Sequence, residues 1–276
     1  MSDPETERPV KRQGGSRAGA PRSRLAARVD RVLTAALEGD EHVALNIKAS
    51  ELLADAGPVA SAVTALLQRA GPGVVIQWRV AQALKPAGLG SELLNALADR
   101  DPNVRIAAAT LCGAFRLSDS LPWLADMLGD SRPRVWEAAA RALGRLGGRR
   151  AVDALMSAAD RVPQHRLAIE LAHAASDMDI EALMREPESV QTAVITVLAC
   201  GLRHDSLRVR PLAAIAHDRR WPTRVRVAAC RALAMVGTPA AEDGLSGLTG
   251  EPDAALRSAL VKAQRRFRPS AGEARG

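Results

Sequence analysis

The chain has 276 residues, of which 47% are hydrophobic and 25% are charged, and its formal net charge is +7. This composition is apolar enough for a sizeable core and excludes a chain that is disordered throughout. Aromatic residues make up only 2%, so the core must consist mainly of Ala, Leu and Val, which favours closely packed helices over sheets.

The N-terminal 24 residues are predicted to form a disordered basic tail. They contain no apolar segment like that of a signal peptide, and residues 11–24, KRQGGSRAGAPRSR, are rich in Gly, Ser, Pro and Arg. We expect one helical domain over 25–268 and a second disordered tail over 269–276. No run is apolar for long enough to span a bilayer, so the sequence predicts a soluble, cytoplasmic protein.

One helical pattern recurs through the domain. The segment VWEAAARALGRLGG, from Val135, begins with an aliphatic residue. Small residues follow three and four positions after it, and apolar residues follow seven and eight positions after it. This spacing places them all on one stripe of a helix. The first residue of each copy is the anchor of its repeat. In chain order the anchors are Leu45, Ile76, Val104, Val135, Val190, Val225 and Leu256, with a degenerate copy near His165.

A second set of helical segments lies between the anchored ones, for example GSELLNALADR and RRAVDALMSAAD. The connections carry Pro near helix starts and Gly after helix ends. A period of roughly 30 residues is typical of a repeat array. Each helix pair cannot bury its apolar stripe alone, so about eight pairs are predicted to stack into an all-α solenoid. The pattern leaves open whether the degenerate unit at 150–188 is a bend, a hinge or a second contact site.

The repeated line of anchor, Arg, Ala, Ala and Ala-Leu-Gly resembles the short HEAT-like repeats named after phycobilisome lyase subunits. The resemblance covers roughly residues 25–268 and is strongest at Val104, Val135 and Val225. It implies that the anchored helices form the outer, convex layer and that the second helices line the concave face. It also implies that an Arg directly after the anchor, as at Arg226, ties adjacent repeats through acidic neighbours.

The sequence shows no catalytic or metal-binding motif. Paired carboxylates, a phosphate loop and HExxH are all missing, which predicts a protein that is not an enzyme and needs no cofactor. Cys112, Cys200 and Cys230 occupy similar apolar settings, and we expect buried, unpaired thiols. His173 takes a position where other repeats have Leu, so a half-buried core histidine is expected.

Charge is unevenly distributed along the chain. Residues 25–261 carry 27 groups of each sign, so the excess of positive charge belongs to the tails. Within the domain, residues 199–231 are rich in arginine and contain only two acidic residues. We interpret this segment as a candidate surface for an acidic partner, with Trp123 as a further partner contact. The candidate residues are Trp123, Arg203, Arg208, Arg210, Arg219, Arg220, Trp221 and Arg224.

Each of these residues also has an interpretation without a binding role, because a charge cluster is usually a solvated face and a tryptophan usually packs over the neighbouring repeat. Arg226 is assigned to a contact between repeats and Arg231 to a solvated helix face. Trp123 is expected to point away from the buried stripe onto the concave side, and Trp78 also lies off its stripe.

Three functions fit these observations. The first is a non-catalytic scaffold that binds a protein or peptide partner on a preformed concave face. The second is nucleic-acid binding, as in the HEAT-like alkylpurine DNA glycosylases, supported by the basic tails and the arginine-rich segment. The third is an enzyme or an accessory that handles a chromophore, as the name of the resembling repeats suggests, but the sequence contains no matching site.

Overall fold

The computed structural model describes residues 23–40, 42–71, 73–248 and 252–267. Within these ranges the chain forms sixteen α-helices and no strand. The predicted all-α solenoid is therefore confirmed. The first helix begins at Arg24, capped by the Ser23 side chain, and the remainder of both predicted tails lies outside the described residues.

The helices fall into an N-terminal group of five and a regular array of eleven. The N-terminal helices are α1 (Arg24–Glu38), α2 (Ala49–Ala54), α3 (Ala56–Ala70), α4 (Val74–Leu84) and α5 (Leu89–Ala96). The remaining helices are α6 (Pro102–Phe115), α7 (Leu121–Met127), α8 (Pro133–Leu146), α9 (Arg149–Ser157), α10 (Gln164–Ala174), α11 (Asp177–Arg185), α12 (Val190–Leu202), α13 (Val209–His217), α14 (Thr223–Val236), α15 (Pro239–Asp243) and α16 (Ala254–Phe267).

The eleven helices of the array, together with α5, alternate between two layers. The helices α6, α8, α10, α12, α14 and α16, each of which carries one of the predicted repeat lines, pack side by side in chain order. They form the inner layer. The shorter helices α5, α7, α9, α11, α13 and α15 cover them and form the outer layer. Each pair buries its apolar stripe between the layers, as expected for stacked repeats.

The inner layer lines the concave side of the array. One cavity is lined by residues from α3, α6, α8 and α10 together. Further along the array, the Arg224 guanidinium at the start of α14 lies 3.5 Å from the side-chain oxygen of Gln164 at the start of α10. The helix α12 lies between α10 and α14 in the layer. Helices separated by a neighbour can meet in this way only if their layer curves inward. The layer assignment implied by the family resemblance is therefore wrong: the anchored helices face inward.

Glycines allow the inner helices to approach closely. A Cβ atom on Gly113 of α6 would lie 2.7 Å from Cα of Ala142 in α8. A Cβ atom on Gly201 of α12 would lie 2.6 Å from Cα of Ala232 in α14. Real Cβ atoms do not approach a backbone atom so closely, so these contacts need glycine. In a stack of helix pairs the closely spaced layer lies inside the curve, which agrees with the cavity positions.

The N-terminal group departs from the predicted repeats. Leu45 lies in an extended segment before α2, and its backbone N–H donates a hydrogen bond to the carbonyl of Ala83 at 2.8 Å. The helix that contains Ile76, α4, packs against α1, while α3 occupies the place next to α6 in the inner layer. The prediction of an anchored helix at Leu45 is therefore wrong. Leu45 and Ile47 are both buried, which is the alternation that an extended segment produces when one of its faces is covered.

The degenerate unit stacks without interruption, because α10 packs between α8 and α12. Its weak sequence pattern therefore marks no break in the inner layer. Residues of α10 line cavities on both of its sides.

Arginines after the anchors join neighbouring turns. The Arg105 guanidinium donates to the Asp130 carboxylate at 2.6 Å and to the carbonyl of Asp99 at 2.8 Å. Arg226 is buried, and its Nε donates to the carbonyl of Ala216 in the preceding helix at 2.9 Å. Arg226 thus joins α14 to α13 through a backbone carbonyl, and its charge helps to lower the pKa of two acidic neighbours, Asp218 and Asp253.

All three cysteines are buried and none of them forms a disulfide, as predicted. Burial raises the pKa of the Cys112 and Cys200 thiols to about 12, so both remain protonated near neutral pH. They act as small apolar residues within the inner layer.

Candidate binding surface

The two layers carry opposite charge. The six inner helices contain twelve basic residues against the two acidic residues Glu137 and Glu170, whereas the six outer helices contain four basic residues against eight acidic ones. The inner basic residues are Arg105, Arg134, Arg141, Arg145, Arg166, Arg224, Arg226, Arg231, Arg257, Lys262, Arg265 and Arg266. The neutral sum over residues 25–261 conceals this separation, because acidic residues of the outer helices and of the rest of the chain offset the inner helices.

A first cavity, the N-terminal pocket, opens on the inner face and has a volume of about 500 Å³. Its basic groups are Arg116, directly after α6, and Arg141 and Arg145 on α8. Leu67 of α3 and Ile169 of α10 supply apolar wall. The pocket thus combines positive charge with aliphatic surface.

The three arginines of the N-terminal pocket have free side chains. Within the part of the chain that the structure describes, the guanidinium groups of Arg116, Arg141 and Arg145 make no hydrogen bond and no ion pair within 4.0 Å. Burial lowers the pKa of Arg145, and the nearby Arg141 charge lowers it further, while Glu170 acts in the opposite direction. An anion that binds among these three cations relieves their mutual repulsion and so stabilises the group.

Two titratable residues of α10 line the same pocket. Glu170 is half-buried, and burial raises the pKa of its carboxyl although His173, Arg141, Arg145 and Arg166 act to lower it. The Glu170 side chain lies against α8, where a Cβ atom on Gly144 would come within 2.5 Å of its Oε2 atom. His173 is exposed, so the expectation of a half-buried core histidine is wrong. Its position faces the pocket because α10 is on the concave side.

A second cavity, the C-terminal pocket, has a volume of about 630 Å³ and lies over α12. Arg161 before α10, together with Arg224 and Arg231 of α14, provides its positive charge. Val194 and Leu198 of α12 provide an apolar floor. The pocket has the same combination of groups as the N-terminal pocket, on the other side of α10.

The structure places the sequence-predicted residues in several different regions. Trp123 lies on α7 in the outer layer and is 46% exposed, so its expected place on the concave side is wrong. The reason is the inversion of the two layers, since its direction away from the buried stripe was predicted correctly. Trp78 is also exposed, on α4.

Trp221 packs between the layers. It is partly buried against the core and borders a small space with Met184, Ile215 and Val225. This position corresponds to the alternative interpretation, in which the tryptophan ring packs over neighbouring helices and has no binding role.

Arg203 and Arg208 are engaged within the fold. Arg203 donates to the carbonyl of Ala175 at 2.7 Å and pairs with the Asp177 carboxylate. Arg208 donates to the carbonyl of Asp177 at 3.1 Å and lies 3.8 Å from the Asp205 carboxylate. These contacts join α11 to the end of α12 and the turn that follows it.

The other candidate arginines do not share one surface. Arg210 is exposed on α13 of the outer layer, and Arg219 and Arg220 are exposed in the loop before α14. Arg220 pairs with Asp218 at 2.9 Å, and this hydrogen-bonded pair lowers the pKa of Asp218. Of the eight predicted residues, Arg224 lines a pocket of the inner face.

Sequence reasoning missed Arg116, Arg141, Arg145 and Arg231. A signal was present, because Arg141 and Arg231 each follow their anchor, Val135 and Val225, by six positions. The equivalent position in both repeats therefore projects a cation onto the same face. This signal was overlooked because the concave face was assigned to the other set of helices.

Within the described ranges, no group of three or more His, Cys, Asp or Glu residues is arranged to hold a metal ion. None of the helices built from these ranges combines the length and apolar character needed to cross a membrane.

Residues 90–175 match a family model described as HEAT repeats. The match runs from α5 to α10 and identifies this part of the chain as HEAT repeats. No curated protein matches the sequence.

Solved structures that the chain matches include human deoxyhypusine hydroxylase in complex with glycerol, which is 18% identical, covers 88% of this chain and 96% of its own, and has a TM-score of 0.35. An engineered protein is 17% identical over 87% of this chain and 96% of its own, with a TM-score of 0.33. A designed armadillo repeat protein is 17% identical over 80% of this chain and 100% of its own, with a TM-score of 0.29.

Proposed function

From its HEAT repeats and its curved inner layer, we propose that this chain is a non-catalytic scaffold that docks a protein or peptide partner on the concave face. The observation that carries the proposal is the pair of open pockets on that face, at about 500 and 630 Å³. Each is lined by residues of three or more elements, so the surface exists before a partner arrives. Docking onto a preformed surface loses little conformational entropy in the scaffold.

The groups on this face suit binding. The pockets offer free arginine side chains beside aliphatic walls, and Arg is enriched at the residues that dominate binding energy. The contacts between inner helices at Gly113 and Gly201 are tight, which favours a stiff wall over one that reshapes for each partner.

A second candidate is nucleic-acid binding, which the basic inner layer favours. Phosphate groups would be attracted to the excess of arginine on the concave side. The proposal of a protein partner ranks above it because aliphatic side chains occupy the floors of both pockets, where a phosphate backbone gains nothing. We also propose, on the repeat line alone, that the units are of the short type named after phycobilisome lyase subunits.

The test of docking on the concave face is affinity capture from the native cell with three forms of the full chain. One form is unaltered, one carries Arg141→Glu and Arg231→Glu on the inner face, and the matched control carries Arg150→Glu and Arg210→Glu on the outer layer. All four positions are exposed, and both variants change the net charge equally. The proposal expects the captured proteins to be lost with the inner variant and kept with the outer one. The reverse pattern, or no loss with either variant, refutes it.

A further inference from the structure

We infer that the partner segment bound on the concave face is an acidic peptide with interspersed aliphatic residues, whose carboxylates pair with the free arginines of the two pockets. This inference rests on the proposed function and specifies the chemistry of its partner. It uses the concave residues Arg116, Arg141, Arg145 and Arg231, none of which is among the eight candidate residues named from the sequence.

The first support is the separation of charge between the layers. The inner helices hold twelve basic and two acidic residues, and the outer helices hold four and eight. Part of this charge is structural, since Arg105 pairs with Asp130 and the buried Arg226 donates to a backbone carbonyl. Arg141 and Arg231, however, are exposed at the two pockets, where their charge matches a ligand of negative charge that the field of the concave wall would attract and orient.

The second support is that the pocket arginines are not used by the fold. Some arginines elsewhere in the array are engaged, as in the pairs Arg105–Asp130 and Arg203–Asp177, although Arg150 and Arg210 of the outer layer are exposed and unpaired among the described residues. By contrast, the guanidinium groups of Arg141, Arg145 and Arg231 have neither a hydrogen bond nor an ion pair with any residue that the structure describes. A guanidinium group offers a planar fork of donors that fits a carboxylate with two parallel hydrogen bonds.

The third support comes from the surface between the arginines. Leu67 and Ile169 line the N-terminal pocket, and Val194 and Leu198 line the C-terminal pocket. Aliphatic side chains of a peptide can bury against them, adding about 25 cal/mol for each Å² removed from water. A ligand with carboxylates alone would leave these walls exposed.

A nucleic acid satisfies fewer of these features. Neither pocket is lined by Trp, Tyr or Phe, so a base could stack only on the single imidazole that each pocket contains, His173 or His165. Each pocket also contains a carboxylate, Glu170 in one and Asp160 in the other, which would repel a phosphate. A peptide can place a hydroxyl, amide or basic group at such a position.

The geometry sets the length of the peptide. The two pockets lie on opposite sides of α10, centred near α8 and α12, and packed helices are 8–10 Å apart. The acidic groups of the ligand should therefore be separated by roughly 20 Å, which an extended peptide spans with about six residues. A segment of about ten to twelve residues reaches both pockets.

The experiment selects ligands without assuming a partner. A random 12-residue peptide library on phage is panned on the immobilised full chain, and recovered peptides are made with a fluorescein label. Binding is then measured by fluorescence anisotropy to the full chain, to the inner variant Arg141→Glu/Arg231→Glu and to the outer variant Arg150→Glu/Arg210→Glu. Circular dichroism establishes that the three forms are equally helical. A fluorescein-labelled 20-base-pair DNA duplex and the single strand of the same length are measured in parallel.

The inference expects recovered peptides to be enriched in Asp and Glu together with Leu, Ile or Val. Their dissociation constants should rise about tenfold or more with the inner variant and change by less than about twofold with the outer variant. Binding should also weaken as salt increases, because the arginines are solvent-accessible.

The other outcomes separate this inference from the proposed function. Peptides without acidic enrichment that still lose affinity with the inner variant overturn the inference and leave concave docking in place. Peptides that lose affinity with the outer variant and not with the inner one overturn both the inference and the proposed function. A selection that enriches no peptide overturns both as well. DNA binding that is lost with the inner variant, in the absence of acidic peptides, overturns the inference in favour of a nucleic-acid ligand.

Discussion

At the scale of single residues, the carboxylate of Asp130 joins two successive units. Arg105 of α6 donates to it at 2.6 Å, and the backbone N–H of Arg132 donates at 2.8 Å. Burial acts to raise the pKa of Asp130, but these hydrogen bonds and the charges of both arginines outweigh it and hold the pKa below its ordinary value. The folded state therefore binds a proton at Asp130 less readily than the unfolded chain does.

Replacement of Asp130 by Asn should destabilise the protein by about 1–2 kcal/mol at pH 7, because a charge-assisted hydrogen bond is lost. A lowered carboxyl pKa contributes stability above the unfolded-state pKa, and this contribution is lost as pH falls through the folded-state pKa. The difference between wild type and Asp130→Asn should therefore shrink as pH falls below 3.8, the ordinary value. Urea unfolding at several pH values measures it, with exposed Asp119→Asn as the control. An equal loss at every pH disproves the assignment.

Glu170 is the opposite case, since burial raises its pKa against the influence of Arg141 and Arg145 on α8 and of Arg166 and His173 on its own helix. The next inner helix, α12, carries no charged residue. An ionised Glu170 therefore costs the folded state free energy near neutral pH, and that cost disappears as pH falls through the raised pKa toward the ordinary value of 4.5.

The variant Glu170→Gln should accordingly melt slightly higher than wild type at pH 7, by a degree or two at about 2–4 °C per kcal/mol. The gain should vanish at pH 4, where wild-type Glu170 is protonated. Thermal melts followed by circular dichroism provide the measurement, and the exposed Glu92→Gln serves for comparison. A lower melting temperature at pH 7 shows that the ionised carboxylate is stabilising and rejects the assignment.

At the scale of helices, the close approach of inner neighbours depends on missing side chains. A Cβ atom at position 201 would meet the Ala232 backbone at 2.6 Å, whereas one at Gly57 in α3 meets nothing within 4 Å. Gly201→Ala should therefore destabilise the protein by about 1–3 kcal/mol through overpacking. Gly57→Ala should be neutral or stabilise it by up to about 1 kcal/mol through helix propensity.

Chemical denaturation of both variants measures the two effects side by side. Equal stabilities would mean that α12 and α14 can move apart without cost, in which case the tight spacing of the inner layer has another origin.

The repeat pattern was informative about helices and less so about layers. Anchors at Val104, Val135 and Val225 all begin inner helices, since a stripe of apolar residues at helical spacing has one way to be buried. Leu45 was misread because a short apolar run also fits an extended segment. Periodicity reports which side of a helix is buried between layers. It contains no information on which layer is more tightly spaced, and that spacing sets the direction of curvature.

At the scale of the whole molecule, net charge was a poor guide to the surface. Summing charge along the sequence gave a neutral domain and drew attention to residues 199–231, whose arginines are distributed over the outer layer, a loop and the inner face. Sorting the same charges by layer reveals the basic concave wall. Sequence alone could suggest this only through Arg141 and Arg231, which share a repeat position, once the inward direction of that position is known.

The central claim is that the anchored helices, and not the shorter ones, form the docking face. It is tested most directly by photo-crosslinking with benzoylphenylalanine in place of Leu198, in the floor of the C-terminal pocket, or in place of Met178, an exposed residue of outer helix α11. The full chain carrying either substitution is irradiated with a captured partner or a selected peptide, and adducts are located by mass spectrometry. The account predicts a discrete adduct from position 198 and none from position 178. An adduct from position 178 alone would contradict it.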